Sequence, residues 1–198
     1  VGKTTGMRNS VIISAFLFSI LIHTSFAQLG ANGTGTITNK QGKVYDIRPG
    51  INLREADFYG LNLSGANLAD CDLYRADFQN ANLTGANLSG AELDYAALDG
   101  AVMKNADLSF AIFKNATLQN VDFSDATLSG VNFSGATLSN AKFIRADIFS
   151  ADLRTVDASN ADFRDANLSN CKFLGDFTFA NFTNAKIKSG AFFFGIFT

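Results

Sequence analysis

The chain contains very few of the side chains on which most catalytic and metal chemistry depends. Its 198 residues include one histidine, His23, two cysteines, one proline and no tryptophan. His23 lies in an N-terminal stretch that we expect to be removed from the mature protein. What remains would lack the side chain used by most catalytic triads, general bases and zinc sites. We therefore expect no enzymatic activity, no cofactor and no bound metal.

Positive charge is also scarce. The formal net charge is −2, which argues against a nucleic-acid partner recruited by a basic surface. One residue type is abundant instead: the chain has 20 phenylalanines. So many large apolar side chains require a regular structure that buries them.

The N-terminal residues have the order of a secretory signal peptide. Arg8 precedes an apolar run over residues 11–22, and Ser25-Phe26-Ala27 has the small-x-small form of a cleavage site. The run is shorter than the roughly 20 residues that span a bilayer, so we expect no membrane association after removal. Residues 1–27 are predicted to be the signal peptide, with Met7 as an alternative start. This indicates export, with the periplasm favoured over a thylakoid lumen or secretion.

From residue 51 the sequence repeats every five residues, beginning INLRE, ADFYG, LNLSG, ANLAD. There are 25 consecutive units, covering residues 51–175. The third residue of a unit, which we call its centre, is Leu in 14 units and Phe in 8; the other three are Met103, Ile148 and Ala158. The residue two before each centre is Ala in 18 units and apolar in the other seven. An internal repeat of this regularity decides the fold class.

A period of five does not place apolar residues on one face of an α-helix. In extended chain, however, two apolar residues separated by one point to the same side. The two residues that follow each centre are often Ser-Gly, Thr-Gly or Asp-Gly, which favour turns. Each unit is therefore predicted to be a short extended edge and a corner, and successive coils stack by parallel hydrogen bonds. The Asn and Asp before the centres are expected to bond to nearby backbone rather than to act as acids, bases or metal ligands.

The units resemble the A(N/D)LXX pattern of the pentapeptide-repeat family over about 70% of the chain. The resemblance implies an all-β fold, a right-handed quadrilateral parallel β-helix in which four units form a coil and residue n stacks on n+20. The frame slips once, because the centre after Phe173 is Phe177. Residues 51–187 would then form about seven coils. We expect Phe177 to fill the space beside the undersized centre Ala158.

The two ends of the repeat region differ in character. Residues 28–50 are predicted to be an N-terminal cap or linker, with a candidate hairpin around Asn39-Lys40-Gln41-Gly42. Residues 188–198 are strongly apolar and are interpreted as a C-terminal cap or a dimerisation segment, so that the protein would be a monomer or a C-terminal homodimer. The residues proposed for this role are Phe192, Phe193, Phe194 and Phe197.

Two functions remain open after these exclusions. Outward residues that depart from the consensus gather on one predicted side, where Tyr and Arg, which are enriched in binding hot spots, recur. This candidate face, a site for an unknown protein partner on a non-catalytic scaffold, comprises Arg54, Tyr74, Arg75, Asp94, Tyr95, Phe110, Ile112 and Lys114. The simpler interpretation is scattered surface aromatics.

The alternative comes from the resemblance, since some family members mimic DNA and bind type II topoisomerases such as gyrase. Residues 51–175 carry 16 acidic and 9 basic side chains, a modest excess with both signs mixed. Cys71 and Cys171 lie 100 residues apart, five coils down one column, which is too far for a disulfide.

Overall fold

The computed structural model describes residues 27–188 and the backbone of residues 192–196. The signal-peptide prediction up to residue 26, and Phe197, lie outside these ranges. The described part contains strands and no helix, and so no helix that is long and apolar enough to cross a membrane. The strands are β1 (Ala27–Leu29), β2 (Gly35–Thr38), β3 (Val44–Ile47), β4 (Asp152–Asp157), β5 (Lys172–Asp176) and β6 (Phe192–Ile196).

The repeat region stacks on itself at an interval of 20 residues. Parallel bridges join Asn52 to Asp72, Asp72 to Glu92, and so on along all four sides. Each step uses two hydrogen bonds of the parallel type: Leu53 N–H donates to Asp72 O at 2.8 Å, and Asp72 N–H donates to Ile51 O at 3.0 Å. Four pentapeptides therefore complete one coil of a β-helix.

The corners follow from the last two residues of each unit. The fifth residue has a positive φ in every unit from residue 55 to residue 170, for example Asn80 at 57° and Gly85 at 66°. Gly and Asn adopt this left-handed conformation most easily, which explains their frequency there. The second residue supports the same corner, because Arg54 N–H donates to Asn52 Oδ1 at 3.0 Å. Equivalent bonds recur along the repeat, which confirms the predicted structural role of the Asn and Asp positions.

The axis of the coil is the hydrophobic core. All 25 centres are buried, with Leu53 the most exposed at 6%. Phenylalanine rings stack along the axis: Phe143 lies 5.0 Å from Phe123 and 4.8 Å from Phe163, with interplanar angles of 15° and 5°. Dispersion and apolar burial between coils thus account for the phenylalanine content.

The slip in the frame straightens one corner. Arg154 pairs with Leu174 but Asp157 pairs with Asp176, so β5 has one residue fewer than β4 over the same stretch. A side chain at Gly175 would collide with the carbonyl of Val156, so a glycine is needed for this close approach.

Beyond the slip the columns continue in the expected order. The pairing of Asp157 with Asp176 places Phe177 directly below Ala158. Phe177 is 2% exposed, and its ring centroid lies 5.5 Å from that of Phe173. The large side chain thus occupies the axis next to the smallest centre.

Each end of the solenoid carries further strands. Strands β1, β2 and β3 form an antiparallel sheet, with β2 and β3 joined through residues 39–43. This sheet rests on the first coil, because Tyr45 Oη accepts the N–H of Asp57 at 3.0 Å and the Tyr45 ring lies 4.9 Å from that of Phe58. At the other end β6 pairs with β5 in parallel, so Phe192, Phe193 and Phe194 extend the stack by one strand.

Candidate functional site

Backbone stacking brings the candidate face together. Glu55 N–H donates to Tyr74 O at 2.8 Å, and Tyr95 N–H donates to Lys114 O at 2.9 Å. The fourth residues of successive coils therefore form one column, with the fifth residues along the neighbouring corner. Phe110 lies at the opposite corner of the same side. The column contains Arg54, Tyr74, Asp94 and Lys114, flanked by Arg75, Tyr95 and Ile112.

Tyr74 is the support of this cluster rather than its exposed part. The guanidinium carbon of Arg54 lies 4.0 Å from the ring centroid of Tyr74, and that of Arg75 lies 5.3 Å from it. The ring of Tyr95 meets Tyr74 edge-on, with centroids 5.7 Å apart. Cation–π and edge-to-face contacts of this kind fix the orientation of all four side chains. Tyr74 is half-buried as a result, whereas Tyr95 is 52% exposed.

Charges on the face are mixed and partly paired. Arg54 Nη1 lies 3.2 Å from Asp72 Oδ2, and Asp72 Oδ1 also accepts the N–H of Tyr74 at 3.2 Å. Sequence reasoning missed Asp72, although its place one coil below Asn52 put it within reach. In the described part of the chain, Arg75 and Lys114 have no ion-pair partner. With both signs alternating, the face does not present the continuous negative charge of a DNA mimic.

Phe110 is the most exposed aromatic residue of the face. It is 71% exposed and has a φ of 61°. Its ring lies over the backbone of Gly130, since a Cβ built on Gly130 would be 2.7 Å from Phe110 Cδ1. Tyr95 also has a positive φ, of 59°. Both aromatics thus occupy corners that favour Gly or Asn, and both leave apolar surface in water, so neither position is explained by folding stability.

The two cysteines are not candidates for chemistry. Both are free and buried. Burial raises the pKa of the Cys171 thiol to about 12, and burial likewise raises the pKa of Cys71. Cys171 donates to Ile148 O, with 2.9 Å between sulfur and oxygen. Protonated, buried thiols are poor nucleophiles at neutral pH. Residues 27–188 also contain no group of three or more His, Cys, Asp or Glu side chains that could hold a metal ion.

Two family models match the repeat region. The one described as pentapeptide repeats matches residues 51–90 and 138–175, and the one described as a pentapeptide repeat region matches residues 76–153. Together they run without a gap from residue 51 to residue 175. A comparison with curated proteins finds no match.

Several solved structures are similar to the chain. HetL, a pentapeptide repeat protein involved in heterocyst differentiation regulation from the cyanobacterium Nostoc sp. strain PCC 7120, is 27% identical, with 72% of each chain covered and a TM-score of 0.36. A pentapeptide repeat protein from the Arabidopsis thaliana thylakoid lumen is 28% identical, over 61% of this chain and 66% of that one, with a TM-score of 0.27. Trypsin-treated QnrB1, a plasmid-mediated fluoroquinolone resistance protein, is 18% identical, over 71% of this chain and 88% of that one, with a TM-score of 0.43.

Proposed function

Because the chain belongs to the pentapeptide-repeat family, we propose that it is a non-catalytic scaffold that binds a protein partner through the candidate face. The observation that carries this proposal is the pair of exposed aromatics at left-handed corners, Tyr95 and Phe110. Each is unfavourable for the folded chain alone, and the two border the same side of the solenoid.

The rest of the face has the composition of a binding hot spot. Its centre is a preformed cluster of tyrosine and arginine, in which Tyr74 holds Arg54 and Arg75 by stacking. Side chains that are already ordered lose little entropy when a partner binds. Arg75 and Lys114, both exposed, can pair with acidic groups at the rim of an interface, where charges guide association.

The proposal includes an exported compartment, with the periplasm favoured. The basic, apolar and small-residue order of residues 8–27 supports it. Fractionation of the native source, followed by N-terminal sequencing of the protein, tests this part. We expect a mature chain that begins at Gln28; recovery of an uncleaved chain from the cytoplasm would contradict it.

The finer geometry of the β-helix is also proposed rather than observed directly. We infer a right-handed solenoid of about seven coils. Stacking at 20 residues from Asn52 to Lys186 supports the count, and the family resemblance supports the handedness. A crystal structure of the mature protein tests both.

The binding proposal is tested by removing the two aromatics without disturbing the corners. We expect Tyr95→Asn combined with Phe110→Asn to keep the fold, because Asn accepts a positive φ. Phe179→Asn is the matched control: Phe179 is 74% exposed with a φ of 59°, but it lies at a corner outside the candidate face. Cross-linking in the native compartment should give a partner with the wild type and the control, and lose it with the double variant. The same proteins recovered from all three, or none from any, would refute the face.

A further inference from the structure

A groove of about 390 Å³ lies near the C-terminal end of the solenoid. It combines one aromatic ring, polar side chains and two cations, and it is lined by Phe149, Asn167, Ser169, Asn170, Lys186 and Lys188. Phe149 is 40% exposed. None of these residues belongs to the candidate face, and the proposed function does not use them.

The groove is continuous with Phe110 along one corner of the solenoid. Phe110 N–H donates to Ser129 O at 2.9 Å, and in the next coil Gly130 N–H donates to Phe149 O at 2.8 Å. One coil further, Ser150 N–H donates to Ser169 O at 2.9 Å. Since adjacent coils are about 4.8 Å apart, Phe149 lies about 10 Å below Phe110. We call Phe110, Gly130, Phe149, Lys186 and Lys188 the corner strip.

The polar wall of the groove is held in place by hydrogen bonds. Asn167 Nδ2 donates to Asp147 Oδ1 at 2.8 Å, and Asn167 Oδ1 accepts the N–H of Ser169 at 3.3 Å. Ser169 Oγ accepts the N–H of Lys188 at 3.3 Å. The Asn170 amide, by contrast, has no hydrogen-bond partner within residues 27–188. A ligand would meet a fixed wall with one free amide group, an arrangement that favours binding.

The two lysines give the groove its charge. Within the described part of the chain, neither Lys186 nor Lys188 pairs with a carboxylate, whereas Lys104, Arg145 and Arg164 do. Asp147 is engaged by Asn167, by the N–H of Phe149 and by Ser129 Oγ. The complement to two unpaired ammonium groups beside an aromatic ring is an acidic group next to an apolar one.

We propose that the corner strip binds an extended acidic peptide segment of a partner protein. Two apolar side chains of that segment, three residues apart, rest on Phe110 and Phe149, because three extended residues span about 10 Å. Acidic residues follow about three positions later, over Lys186 and Lys188. The strip shares Phe110 with the candidate face but otherwise forms a separate site, so either can fail without the other.

The test uses the mature chain and three fluorescein-labelled peptides. The first, Leu-Ser-Ser-Phe-Ser-Asp-Glu, carries both features; the second ends in Lys-Lys; the third places Leu and Phe adjacent. Fluorescence anisotropy measures each Kd. We expect the first peptide to bind at least tenfold more tightly than the other two, and more weakly as salt rises.

Variants of the chain then locate the binding. Lys186→Glu combined with Lys188→Glu should reverse the preference between the first two peptides, and Phe149→Ser should weaken the first at least fivefold. Lys142→Glu, a charge reversal on another side, and Tyr95→Asn, on the candidate face, should leave its Kd unchanged. Equal Kd values for acidic and basic peptides, an unchanged Kd in the double lysine variant, or no binding at millimolar peptide would overturn the proposal. So would binding to anionic lipid vesicles or a sulfated polysaccharide without binding to the first peptide.

Discussion

Phe110 and Gly130 meet at one corner, and their contact can be isolated by a pair of glycine substitutions. Gly130 and Gly85 occupy equivalent corners, with φ of +70° and +66°. A Cβ at Gly85 would meet nothing within 4 Å, whereas a Cβ at Gly130 would lie 2.7 and 2.8 Å from two ring atoms of Phe110. Gly85→Ala therefore measures backbone strain alone, and Gly130→Ala measures strain together with displacement of the ring.

The magnitudes follow from exposure. An alanine in the left-handed conformation costs about 1–2 kcal/mol, and this applies to both variants. Phe110 is 71% exposed, so about three tenths of a side chain of roughly 200 Å² is covered. Losing about 60 Å² of apolar burial at ~25 cal/mol per Å² costs about 1.5 kcal/mol. We expect Gly130→Ala to be more destabilising than Gly85→Ala by about this amount.

Urea unfolding followed by circular dichroism gives the free energies, and the m-value must stay constant for the comparison to hold. The decisive measurement repeats both substitutions in a Phe110→Ser background. There the two glycine variants should agree, because no ring remains to be displaced. If they agree already in the wild type, or still differ without Phe110, then the ring does not rest on Gly130 and the corner strip loses its upper end.

Three further outcomes are expected from the same structure. Phe143→Ala should lower the free energy of unfolding by about 3–5 kcal/mol because Phe143 is fully buried between two rings, whereas a loss below about 1 kcal/mol would contradict axial stacking. Thr155→Asn should raise stability by about 1 kcal/mol, since Thr155 is β-branched with a φ of 55°; Thr183→Asn, at a residue without a positive φ, should not. Burial raises the pKa of Cys171 to about 12, so the unfolded thiol, with a pKa of roughly 8.5, loses its proton first. Its contribution is complete below roughly pH 8.5 and is lost as pH rises toward 12, so the wild-type urea midpoint should fall more steeply over that window than that of Cys171→Ala; parallel curves would refute this.

Most of the candidate face could be predicted from sequence because the repeat has a fixed frame. Once residue n stacks on n+20, Arg54, Tyr74 and Asp94 must share a column, whatever their side chains do. The contacts within the column could not be predicted in the same way. That Tyr74 lies beneath Arg54 and Arg75, leaving Tyr95 exposed, depends on side-chain conformations that the repeat does not constrain.

The corner strip could not be predicted by the same counting. Lys186 and Lys188 follow the slip after Phe173, so their columns depend on where the missing residue is absorbed. The structure places that point between Arg154 and Asp157, opposite Gly175. The link between Phe110 and Phe149 depends on a ring lying over a glycine, a contact between coils that neither pentapeptide indicates alone.

The sequence by itself determined the β-helix, its core and its corners. Every pentapeptide repeats the same local instruction, two inward apolar residues and a turn, and the sum of identical local choices has one regular solution. Only the tertiary structure decided which outward residues are free and which are engaged. Phe110, Tyr95, Lys186 and Lys188 stand out because neighbouring coils leave them exposed, and that depends on side chains about 20 residues away rather than on the pentapeptide in which each lies.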